Sequence, residues 1–110
     1  MNEETAQKRV NEVQETYRNW LQLQDKLEDL FKDLQHSSEL MDKMKAFYFG
    51  GEYRKINDLI DEKKAGINLT TAGEYSVMSE DALWNAFYDH QQLMWKLLRF
   101  AVKELDEGGA

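Results

Sequence analysis

The sequence predicts an all-α protein: an antiparallel helical bundle with two long helices, about 3–35 and 79–107, and two short ones, about 38–49 and 52–65, between them. Three observations carry this. Apolar residues in the first third recur at alternating spacings of three and four, the last third carries a broad double stripe of the same period, and Gly and Ser punctuate the stretch between. Such spacing places side chains on one face of a helix.

In the first helix Val10, Val13, Tyr17, Trp20, Gln24, Leu27, Phe31 and Leu34 share a face, and only Gln24 is polar. Leu21, Leu23 and Leu30 widen the stripe beyond a narrow two-position seam, which argues for packing on several neighbours. The phase fails at His36-Ser37-Ser38-Glu39, where Ser38 stands in place of an apolar residue. Either serine can cap a new helix, so a bend is expected there. Leu40, Met41, Met44, Phe47 and Tyr48 then form the second apolar face, up to Gly50-Gly51, a pair suited to the positive backbone angle of a helix end.

Tyr53, Ile56, Leu59 and Ile60 define the third helix, with Lys63 and Lys64 complementing its dipole before Gly66. The stretch INLTTAGEYSVM has no helical period and reads as an ordered loop, with Ile67, Leu69, Val77 and Met78 tucked against the core. Ser79 suits an N-cap, and Glu80 with Asp81 puts negative charge at the positive end of the dipole. Beyond it Leu83, Phe87, His90, Met94, Leu97 and Ala101 form one stripe, and Trp84, Tyr88, Trp95, Leu98, Val102 and Leu105 its neighbour.

A chain of 110 residues is expected to make one domain, 1–110, burying about two-thirds of its unfolded surface. There are no cysteines, which excludes disulfides, thiol nucleophiles and Cys-based zinc sites and fits a reducing cytoplasm. The start is polar and acidic, not a secretory signal, and no later run reaches membrane-spanning length. The net charge is −7. Residues 1–36 hold five basic and eight acidic groups and residues 67–110 three and seven, so there is no basic stripe for a phosphate backbone, and direct nucleic-acid binding is disfavoured.

Catalytic sets are hard to assemble. Asp33-x-x-His36 is one fragment of the paired Glu-x-x-His pattern of di-iron bundles, so no metal is assigned. Glu12-x-x-Glu15, Asp25-x-x-Glu28 and Asp58-x-x-Asp61 place acids one turn apart, the spacing with which all-α nucleotide pyrophosphatases hold magnesium against substrate phosphates. Acid-rich helices also produce such pairs as solvated faces. Only His36 and His90 offer an imidazole base, and no triad follows. No catalytic residue and no cofactor is assigned. Tyr48, Tyr53, Tyr75 and Trp84 are residue types that dominate interaction hot spots, although they are equally core material.

Phe47-Tyr48-Phe49-Gly50, aromatic Tyr53, the acidic run from Asp58 to Glu62 and Val77-Met78-Ser79-Glu80-Asp81-Ala82 together resemble a bacterial family, domain of unknown function 4298, from about residue 10 to 105. The chain departs from its pattern in having Tyr53 where tryptophan is common and no proline in the following loop. The resemblance implies a small cytoplasmic helical protein and brings no activity.

The expected function is therefore a non-catalytic protein-interaction module in the cytoplasm, with Tyr48, Tyr53, Tyr75, Ser79, Glu80, Asp81 and Trp84 as its surface. Its partner would be another protein or a second copy, with neither nucleic acid nor membrane. One rival is a magnesium-dependent nucleotide hydrolase using Glu12, Glu15, Asp58 and Asp61. Another is an acidic nucleic-acid mimic acting as an inhibitor or immunity protein. Within the bundle, antiparallel pairing of the long helices would set Gln24 and His90 in one layer as a polar pair fixing register.

Overall fold

The structure, a computed structural model, describes residues 1–62, 66–79 and 81–108. Lys63, Lys64 and Glu80, to which the sequence reading gives dipole and cap roles, lie outside the described residues. The fold is all-α, with three helices and no strand among the described residues: α1 (Glu3–Phe49), α2 (Glu52–Asp61) and α3 (Ala82–Glu107). No helix is long and apolar enough to cross a membrane among the described residues. The chain divides into two units, Met1–Glu39 and Leu40–Ala110.

The helix count corrects the expectation of four. Helix α1 continues through His36-Ser37-Ser38-Glu39 without a break. A serine cap forms only where the backbone has already left the helix, and leaving it forfeits i→i−4 hydrogen bonds. Serine inside a helix costs well under ~1 kcal/mol relative to alanine, and neither Gly nor Pro is present there to force a stop. His36 Nδ1 also lies 3.6 Å from Glu39 Oε2 across this stretch.

The first unit is a stretch of α1. Its start is capped by Asn2, whose Oδ1 accepts from the Thr5 amide at 2.8 Å, with Glu3 and Glu4 in the first turn at the positive dipole end. Local pairs hold its surface: Arg9 with Glu12 at 3.2 Å, Gln7 with Asn11 at 3.0 Å. Its apolar stripe stays open, with Val10, Tyr17, Trp20, Leu27 and Phe31 each more than half exposed. A single helix has no second surface within its unit against which to close a core.

The second unit has a core. Met41, Leu83 and Phe87 are buried, with Met44, Phe47, Tyr48 and Tyr53 packed against them. The first stripe of α3 is inward-facing, with Leu83 and Phe87 buried and His90, Met94 and Leu97 half-buried, whereas the neighbouring stripe from Trp84 to Leu105, expected to share a broad face at a bundle centre, is exposed. In the loop Met78 alone of the four expected residues is half-buried, whereas Ile67, Leu69 and Val77 are exposed. The loop satisfies its backbone locally instead, through Thr70 on Asn68, Glu74 on Thr71 and Met78 on the Ser76 hydroxyl.

The start of α3 also differs from expectation. The Ser79 hydroxyl donates to the Ser76 carbonyl at 2.7 Å, and its amide donates to the same oxygen at 3.0 Å. Ser76–Ser79 is thus a closed turn of its own, and Ser79 is not the cap. Asp81 takes the N-cap position with no side-chain hydrogen bond, and the helix begins at Ala82.

Between α1 and α2 the chain reverses at Gly50-Gly51. The Gly50 amide donates to the Ala46 carbonyl at 2.9 Å, and a Cβ at Gly50 would stand 2.4 Å from that oxygen. Gly51 has φ of 100° with open space around it, so its constraint is backbone strain alone. Gly51→Ala is expected to cost about 1–2 kcal/mol in urea unfolding, the penalty of a Cβ in left-handed backbone, and Gly51→Asn less. Equal stability of Gly51→Ala and the parent would refute the strain argument.

Candidate functional site

The Gly50-Gly51 reversal sets the last turn of α1 against the first turn of α2, and the loop returns the chain so that α3 starts beside both. This gathers an aromatic cluster centred on Tyr48. Its ring lies 5.0 Å from Phe49, 4.8 Å from Tyr53, 5.8 Å from Trp84 and 6.0 Å from Phe87, centroid to centroid. Most of these meet edge to face, the geometry that aligns a positive ring edge with a negative ring face. Phe49 stacks on Phe87 at 5.8 Å, and the Lys45 ammonium stands 6.0 Å from the Phe87 centroid, within range of a cation–π attraction.

Two hydrogen bonds fix the cluster. The Trp84 indole donates to the Tyr48 hydroxyl at 2.8 Å. The Tyr53 hydroxyl donates to the Met78 carbonyl at 3.3 Å, tying α2 to the loop. The polar tips of the rings are thereby engaged while much of their apolar area remains open: Phe49 is 63% and Trp84 51% exposed.

Of the expected surface residues, Tyr48, Tyr53 and Trp84 are brought together. Tyr75, Ser79 and Asp81 instead line an open hollow at the start of α3 with Gly73, Glu74, Ala82 and Asn85. Tyr75 is 93% exposed, so it has no part in the core. Glu80 falls outside the described residues. Gln24 is exposed in the first unit, and His90 is half-buried in the second, its Nε2 without a hydrogen-bond partner among the described residues. A second hollow, lined by Lys45, Phe49, Trp84, Phe87, His90, Gln91 and Met94, opens beside the cluster.

Sequence reasoning missed Phe49, Lys45 and Ser76. Phe49 stands in the aromatic run before Gly50, and its place in the helical period does not reveal that it stacks on Phe87. The signal for Ser76 is its spacing of three from Ser79, typical of a side-chain-closed turn. Among the described residues no group of three or more His, Cys, Asp or Glu gathers as a metal site.

Trp84→Phe keeps the ring contacts but leaves the Tyr48 hydroxyl without its donor, and is expected to cost about 1 kcal/mol. Ser79→Ala, at an exposed hydroxyl, should cost less than a lost cap, below about 1 kcal/mol. Urea unfolding followed by circular dichroism checks both, and a larger loss for Ser79→Ala than for Trp84→Phe would reverse the assignment.

The comparisons with known proteins bear on this arrangement. A family model described as a domain of unknown function (DUF4298) matches residues 10–100, a span that includes the aromatic cluster and the start of α3. No curated protein and no solved structure matches. With most of its length matched by that one model, the chain belongs to the DUF4298 family.

Proposed function

We propose that the chain is a non-catalytic protein-interaction module acting in the cytoplasm, and that it binds a protein partner through the open side of the aromatic cluster and the hollow beside it. One observation carries the reading: Trp84 and Phe49 keep large ring areas in solvent while their neighbours hold them rigid. A pre-ordered aromatic loses little side-chain entropy on binding, which is why Trp and Tyr anchor interfaces. Tyr75, beside Glu74 and Asp81 in the hollow, adds an exposed ring with acidic neighbours. The matching partner surface is apolar with basic groups at its edge, and neither nucleic acid nor membrane is part of the reading.

The rival nucleotide hydrolase needs Glu12, Glu15, Asp58 and Asp61 to converge, and no observation favours that. The nucleic-acid mimic needs a continuous acidic face, whereas Lys45 sits over the cluster itself. A partner captured from native cytoplasm and then purified gives the test. Tyr75→Ala removes a side chain that is almost fully exposed, so stability should stay within about 0.5 kcal/mol. Binding should weaken about tenfold or more, the ~1.4 kcal/mol expected of an anchoring aromatic. Trp84→Phe should weaken it less. Unchanged affinity in both Tyr75→Ala and Phe49→Ser would remove this surface from consideration.

A further inference from the structure

The open stripe of α1 lies outside the proposed aromatic surface and calls for its own partner. Nine large apolar side chains from Val10 to Phe31 are each between 40% and 59% exposed. At roughly 100 Å² left open on each, half of a typical large side chain, they offer about 900 Å², comparable to the ~800 Å² that one partner contributes to a standard stable interface.

The order of residues along the stripe indicates what covers it. An antiparallel twofold placed at Gln22 sets Val10 against Leu34, Val13 against Phe31, Tyr17 against Leu27 and Trp20 against Gln24 of the second helix. Each layer except the last then joins two apolar side chains of unequal size, as interdigitating packing requires. The exception joins the stripe's one amide to its one indole, and the Trp20 N–H can donate to the Gln24 side-chain oxygen. Leu21 and Leu23, outside the narrow seam, fall beside the twofold and meet their own copies. Across the flanks Gln14 faces Glu28 and Arg9 faces Ser37, so no like charges oppose. Parallel pairing does worse, because it sets Trp20 on Trp20 and Phe31 on Phe31 and brings Leu23 against Glu28.

We infer that α1 pairs with α1 of a second copy of this chain, antiparallel, about a twofold axis at Gln22, an isologous interface. The full chain tests it directly. Sedimentation equilibrium at tens of micromolar should give twice the chain mass, falling to the single chain mass in Trp20→Glu. The absence of cysteine makes single-cysteine variants clean reporters. Oxidised Leu23→Cys should form a covalent dimer. Val10→Cys should not, because its two copies would lie about 36 Å apart along the axis, 24 residues at ~1.5 Å each. A mixture of Val13→Cys and Phe31→Cys chains should cross-link to each other.

A single-chain mass in the parent at high concentration would overturn the inference. So would self-cross-linking of Val10→Cys, which marks a parallel pair. Efficient intramolecular bridging of Gln24→Cys with His90→Cys in one chain would also overturn it, giving the stripe to the Gln24–His90 layer expected within a bundle. Tyr75→Ala should leave the dimer mass unchanged, which separates this outcome from the fate of the aromatic surface.

Discussion

The hydrogen bond from the Trp84 indole to the Tyr48 hydroxyl joins residues 36 apart in sequence, and the geometry of the second unit depends on it. Among the described residues of that unit, only Met41, Leu83 and Phe87 are buried. Three buried side chains do little to define where α3 starts relative to the end of α1, because apolar contact is non-directional. A tryptophan N–H aimed at a tyrosine oxygen is directional, and the edge-to-face rings around Tyr48 add further orientation. The Tyr53 bond to the Met78 carbonyl does the same for the loop. The aromatic residues thus serve as core and as hinge pins at once, which is why Trp84 and Phe49 are well placed despite being more than half exposed.

The two short motifs behind the family resemblance meet at this point. Tyr48 stands in the aromatic run that ends α1, and Trp84 stands two residues beyond Ala82, where the second motif closes. The second motif has an internal logic that its letters do not announce. Ser76 accepts the Ser79 amide and hydroxyl on its carbonyl while its own hydroxyl accepts from the Met78 amide. That closed turn presents the Met78 carbonyl to Tyr53 and hands the chain to α3. The motif is a connector between loop and helix, and its serine acts backward along the chain, not forward into the helix.

Periodicity made the all-α class and the helical segments legible. The spacing of Leu83, Phe87, His90, Met94 and Leu97 gave the buried face of α3 in its order of burial, and Gly50-Gly51 marked the reversal, with Gly51 at positive φ. The boundaries assigned to serine failed, as did the burial expected of Ile67, Leu69 and Val77. Ser, unlike Gly or Pro, tolerates the helix interior, so Ser37 and Ser38 interrupt the apolar pattern of α1 without interrupting its backbone. Ser79 was ambiguous for a related reason: a hydroxyl both donates and accepts, and the sequence does not say whether the helix amides or the preceding carbonyl will claim it. The aromatic cluster was legible in composition, since Tyr48, Tyr53 and Trp84 do converge, and the candidate site was illegible in grouping, since Tyr75 lies apart on an open hollow.

The two units differ in how their helices are stabilised. In the second, α2 and the start of α3 are held by tertiary contact, so even the ten-residue α2, too short to be stable alone, is retained by Tyr53. In the first, caps and i,i+3 or i,i+4 pairs such as Arg9–Glu12 contribute only about 0.2–0.5 kcal/mol each, and most helical stability in proteins comes from covering an amphipathic face. A solvated helix without a partner has no use for Trp20, Phe31 and four leucines on its surface. Their spacing keeps them on one stripe, and exposed apolar area of that extent marks an interaction site. In the antiparallel pair inferred for α1, that stripe is the surface the second copy covers, and the order of residues along it sets the register.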